Sequence, residues 1–198
     1  MGDDTKKQDS QRKAGVGCLA LIALAVLVVM CAPDPEGEEA AAIAPEDLSA
    51  AQKAGISAWY DELTGLSSGC DARITELGEA MQAAGDGSGS TYEGYASAKR
   101  AQESCETAWQ AYGEVAAPEG LAAKVAEEAR DTCETSAFLK RQAAAAAMEI
   151  FDGDVRPSKV AELREMTESA GSYTLRCAAS AAKAITEAGV GPSALSEQ

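Results

Sequence analysis

Four cysteines, Cys70, Cys105, Cys133 and Cys177, are spaced so that the midpoint of each consecutive pair falls on a chain-turning stretch. The midpoint of 70 and 105 is 87.5, inside Gly85-Asp-Gly-Ser-Gly89; that of 105 and 133 is 119, inside Pro118-Glu119-Gly120; that of 133 and 177 is 155, between Gly153 and Pro157. In an antiparallel helical hairpin, residues equidistant from the turn lie at the same height. If the segments between these turns are helices, all four sulfurs occupy one layer.

The segments do read as helices. Ile56, Trp59, Leu63, Leu66, Cys70, Ile74, Leu77 and Met81 recur at steps of three and four, the helical period. A first helix is expected from about Pro45 to Ala84, opening on proline and acids in its first turn. Gly65 and Ser67-Ser68-Gly69 are its weak spot, and the pattern favours continuity through it. A second helix, about Ser90 to Ala116, carries Tyr95, Ala98, Gln102, Cys105, Trp109 and Tyr112 on one face. The third, Glu119 to Phe151, carries Leu121, Val125, Ala129, Leu139, Ala143 and Ile150. The fourth, Pro157 to Ala188, carries Val160, Leu163, Ala170, Cys177, Ala181 and Ile185. Nothing sustains a period of two. The pattern predicts an all-α fold, an antiparallel up-down-up-down four-helix bundle over residues 45–190, with a short flexible tail at 191–198.

By helical phase, Cys70, Cys105 and Cys177 lie near the centres of their apolar stripes. Cys133 lies about 90° off its own, beside Ala126 and Ala137. Helix axes ~8–10 Å apart put facing Cα atoms about 4–5 Å apart, within disulfide reach. Disulfide candidates are therefore Cys70, Cys105, Cys133 and Cys177. Neighbouring-helix pairings are Cys70–Cys105 with Cys133–Cys177, slightly favoured, or Cys105–Cys133 with Cys70–Cys177. The sharper alternative is a tetrathiolate site for zinc, iron or copper(I). Such sites usually draw ligands from closely spaced C-x₂₋₄-C pairs, and this chain has none. No metal or other cofactor is expected.

The compartment follows from Ala14 to Ala32, nineteen residues without a charge, preceded by Lys6, Lys7, Arg12 and Lys13. Such a helix rises ~28 Å, close to the ~30 Å hydrocarbon thickness. The basic flank predicts a cytoplasmic polar tail at 1–13, a transmembrane signal anchor at 14–32, an acidic linker at 33–44, and the bundle on the periplasmic or extracellular side. A cleaved secretory signal, with Ala40-Ala41-Ala42 as a late cut, and a lipoprotein signal acylated at Cys31 are the alternatives. All three export residues 33–198. Export is the condition under which level cysteines become cross-links.

The chain holds 17 basic and 32 acidic residues; four and three of these lie in positions 1–32, leaving the exported part a net charge of −16. That field disfavours nucleic acid and anionic lipid surfaces and suits a basic partner. No histidine occurs, which excludes Ser-His-Asp and Cys-His catalysis. Glu127, Glu128, Asp131 and Glu134 read as a solvated acidic face. Trp59, Tyr60, Trp109 and Tyr112 read as core, with a ligand cleft as the alternative. Asp152-Gly-Asp lacks the remaining positions of a calcium loop. Ala101–Thr107 and Ala129–Thr135 look alike at an offset of 28 residues, as low-complexity helical sequence readily does. The expectation is a non-catalytic, membrane-anchored envelope protein presenting an acidic helical bundle to a protein partner. The alternative is a ligand- or metal-binding module built on the cysteine layer or the aromatics.

Overall fold

The structure is a computed structural model that describes residues 43–190. The Ala14–Ala32 segment, Cys18, Cys31 and the tail from 191 lie outside the described residues. No helix among the described residues is long and apolar enough to cross a membrane.

Five helices are described: α1 (Ala50–Gly65), α2 (Ser68–Gly85), α3 (Thr91–Tyr112), α4 (Ala123–Phe151) and α5 (Pro157–Glu187). They form four rods, because α1 and α2 are one rod broken at Leu66 and Ser67. This corrects the expected continuous first helix. Leu66 and Ser67 keep right-handed helical backbone angles, but the ladder is handed over there: Leu66 N donates to Glu62 O and Asp71 N to Ser67 O. Gly65 and Gly69 flank the break, and glycine is the weakest ordinary residue in a helix.

The start of α1 is a second correction. Pro45-Glu46-Asp47 is a turn closed by Asp47 N on Ala44 O. Helix begins five residues later because Ser49 and Gln52 form a reciprocal capping box, with Gln52 N on Ser49 Oγ at 3.2 Å and Ser49 N on Gln52 Oε1 at 2.9 Å. Ser90 and Glu93 cap α3 in the same way. Pro157 occupies the first turn of α5, where its missing N–H is harmless.

Sequence-adjacent helices pack side by side: α2 on α3, α3 on α4, α4 on α5. The connections between them are short, so these neighbours run antiparallel. The break redirects the first rod. Helix α1 packs on α5 and α4, whereas α2 packs on α3 and α4 and stands away from α5.

Three clusters fill the interior. The central one holds Trp59, Leu63, Tyr112 and the four cysteines, and a second, rich in alanine, joins α2, α3, α4 and α5 around Leu77, Ala98, Ala144 and Leu163. Leu48, Ile56, Ile185, Ala188 and Val190 plug the end where α1 begins and α5 finishes. Helices come close because their contact residues are small. At Gly94 a Cβ would run into the ring of Phe151, so the start of α3 and the end of α4 meet only with glycine there.

Candidate functional site

Two disulfides tie the rods in pairs: Cys70–Cys105 joins α2 to α3 and Cys133–Cys177 joins α4 to α5, with Cα separations of 4.5 and 4.6 Å. All four sulfurs are thereby engaged as disulfide partners. Among the described residues no group of three or more histidine, cysteine, aspartate or glutamate side chains could hold a metal.

The phase reading inverts for one pair. Cys133, expected at the edge of its stripe, is buried, and Cys177, expected at the centre, is half-buried. The reason is the true seam of α4. Ala126, Ala129, Cys133, Ser136, Lys140, Ala143 and Ala147 alternate steps of three and four and are all buried. The larger Val125, Leu139 and Ile150, expected on the stripe with Ala129 and Ala143, flank it half-buried. Tyr95 and Val160 are likewise exposed, against expectation.

That seam carries a lysine, and the structure supplies its partner. Lys140 Nζ lies 2.5 Å from Asp71 Oδ1, and Ser67 Oγ donates to Asp71 Oδ2 at 2.8 Å. Asp71 follows Cys70 directly, so the first disulfide and the ion pair pin the same turn of α2. Beyond Lys140 the polar seam continues into α5, with Ser136 Oγ and Thr174 Oγ1 at 2.8 Å and Thr132 Oγ1 and Ser180 Oγ at 2.7 Å.

Tyr112 is fully buried on the other side of this network, and its hydroxyl has no hydrogen-bond partner of acceptable geometry among the described residues. Burial pushes its pKa above the ordinary phenol value. The nearby Ser67 hydroxyl acts against that rise and the Asp71 charge adds to it.

A groove lies between α2 and α5, where the redirected first rod leaves them apart. It encloses about 260 Å³, with Lys140 and Ala143 of α4 among its lining residues. Sequence reading missed Lys140, Asp71 and this groove. The signal available was the small-residue seam of α4, which places position 140 inward.

The aromatic residues do not assemble into one cleft. Trp59 and Tyr112 are buried in the central core, while Trp109 packs against it half-buried, its Nε1 donating to Glu134 Oε1 at 3.1 Å. Trp109 and Phe138 pack with ring centroids 5.7 Å apart, and the Arg141 guanidinium lies 5.4 Å from the Trp109 centroid while pairing with Glu106. This is a surface clasp between α3 and α4. The acidic face of α4 is engaged piecewise: Glu134 by Trp109, Asp131 by Arg130, and Glu128 by Lys183 at 3.7 Å.

No family model, curated protein or solved structure matches the chain.

Proposed function

We propose that the chain is a membrane-tethered, non-catalytic protein that displays a disulfide-locked, acidic helical bundle outside the cytoplasm for contact with a basic protein partner. The observation that carries this reading is the pair of buried interhelical disulfides. Such bonds persist in oxidising compartments and are rare where glutathione and thioredoxin act. An uncharged nineteen-residue stretch behind a basic flank supplies the route and the tether.

Two further features support it. The exported part carries −16, a field that draws basic surfaces and repels anionic ones. Within the bundle, Pro45 lies against Gly189 at the same end as the α3–α4 connection, where Gly120 meets Leu48. The described chain therefore begins at that end, and the loops at 86–90 and 152–156 lie at the other.

The non-catalytic part of the proposal is supported by the chain's chemistry. The chain has no histidine, and its four bundle thiols are bonded. The test is protease and thiol-reagent accessibility in intact cells, followed by chemical cross-linking from the 86–90 and 152–156 loops. Export and partner contact predict external cleavage of the bundle and one reproducible cross-linked protein with a basic surface. Protection from external protease, or cross-links to no protein reproducibly, contradicts it.

A further inference from the structure

We propose that the groove between α2 and α5 binds an uncharged, single-chain aliphatic molecule of medium length bearing an alcohol or ester oxygen, with that oxygen on the Lys140 ammonium. The walls are aliphatic: Ile74, Leu77 and Met81 on α2, and Leu163 and Ala170 on α5. Thr167 and Thr174 also line the groove, yet each hydroxyl donates to a carbonyl of its own helix, Leu163 O at 2.8 Å and Ala170 O at 2.9 Å. No aromatic ring lines it, so nothing favours a flat ligand over a flexible chain. At about 260 Å³ it falls just below the ~300–1,000 Å³ of drug-sized sites, which suits one alkyl chain.

The polar anchor is Lys140. The residue as a whole is 7% exposed, and its ammonium has three N–H donors, of which Asp71 takes one; no other protein acceptor engages it among the described residues. Spare donors on a group this buried call for an acceptor. Charge decides which kind. Lys140 is already neutralised by Asp71, and the domain around it is strongly acidic. A second carboxylate would meet Asp71 at close range, whereas a neutral oxygen accepts the spare proton without that repulsion.

An independent observation concerns the walls. Gly78 on α2 and Gly171 on α5 both line the groove, deep within long helices, and a Cβ built on either meets nothing within 4 Å. Glycine there is the least favourable ordinary residue for a helix interior, with no close packing to require it. Both absent side chains keep the groove open.

The experiment is methyl NMR of the full chain in lipid nanodiscs, titrated with 1-octanol, methyl octanoate and octanoate. Ile56 and Ile185, in the end cluster, serve as internal controls. The expected result is saturable shifts at Ile74, Leu77 and Leu163 with the alcohol and ester, and at least tenfold weaker response to octanoate. Gly78→Leu, which fills the groove from a position with open space, abolishes the shifts with an unchanged or raised Tm. Lys140→Met weakens the alcohol and ester at least tenfold and leaves the control methyls in place. Equal shifts at groove and control methyls overturn the proposal, as does octanoate binding as tightly as octanol. Concentration-dependent shifts of the groove methyls without ligand overturn it too, because a second copy of the chain then covers the groove.

Discussion

Lys140 and Asp71 form an ion pair of unequal partners. The two meet at 2.5 Å between α4 and α2, with the lysine side chain 9% exposed and the aspartate 43%. The lysine is therefore much the more buried member of the pair. The asymmetry predicts unequal mutants. Asp71→Ala leaves a buried ammonium without its counter-charge and lowers stability by about 1–3 kcal/mol. Lys140→Met leaves a carboxylate that water and Ser67 still satisfy, and costs under about 1 kcal/mol. Urea unfolding of the two single variants, compared at matched m-values, checks the order. An equal or reversed order contradicts the assignment of Lys140 as the buried member.

Tyr112 makes a pH prediction. Its folded pKa is raised, chiefly by burial, so the folded state holds the phenolic proton to higher pH than the unfolded chain does. Stability from this group is fully present below the unfolded value of ~10 and is lost as pH rises through the folded value. Wild-type protein thus loses stability with rising pH above about 10, and Tyr112→Phe flattens that fall. At neutral pH the same substitution changes stability by no more than about 1 kcal/mol, because the buried hydroxyl it removes has no partner. Denaturant midpoints from pH 7 to 11 give both results.

The two disulfides span 35 and 44 residues. Loop entropy grows only with the logarithm of length, so their contributions are nearly equal, at about 2–4 kcal/mol each. Replacing either pair by alanines lowers the unfolding midpoint by a similar amount. Alanine is the suitable replacement because both Cys70 and Cys105, and Cys133, are in apolar surroundings. A large difference between the two double variants means that one bridge is strained or fails to form.

Gly94 and Phe151 are coupled sterically. Gly94→Ala drives a methyl into the Phe151 ring and destabilises by about 1–3 kcal/mol, despite the better helix propensity of alanine. Phe151→Leu in the Gly94→Ala background restores part of that loss. A double-mutant cycle on thermal unfolding measures the coupling, and a zero interaction energy contradicts the contact.

How much of this was legible in the residues depends on what each feature needs. Helix ends written by glycine, proline and local capping were legible: the turns after Gly85, at Pro118–Gly120 and before Pro157 stand where their punctuation puts them. Heights across the bundle were legible for the same reason, because turns fix the heights of residues equidistant from them. Facing direction was legible for Cys70 and Cys105, both buried, and was misread along α4. The stripe read for α4 combined Ala129 and Ala143 with the larger Val125, Leu139 and Ile150, whereas its buried seam is built of alanine, Cys133, Ser136 and Lys140. A helix bundle this rich in alanine packs by backbone approach, so small residues mark the inside and larger ones flank it. The break at Leu66–Ser67 was visible as a weak spot, but its outcome was set by tertiary packing: α1 turns to α5 and α2 does not. The Lys140–Asp71 pair and the groove both follow from that divergence, and no local pattern encodes it.

The central claim is that Cys70–Cys105 and Cys133–Cys177 are closed in the native protein because the bundle resides on the oxidising side of a membrane. Peptide mapping under non-reducing conditions, on full-length protein taken from its native membrane with thiols blocked at lysis, tests it most directly. Export predicts the two linked peptide pairs, Cys70 with Cys105 and Cys133 with Cys177, and no alkylated thiol at any of the four positions. Four alkylated cysteines, or linkage of Cys105 to Cys133, would contradict it.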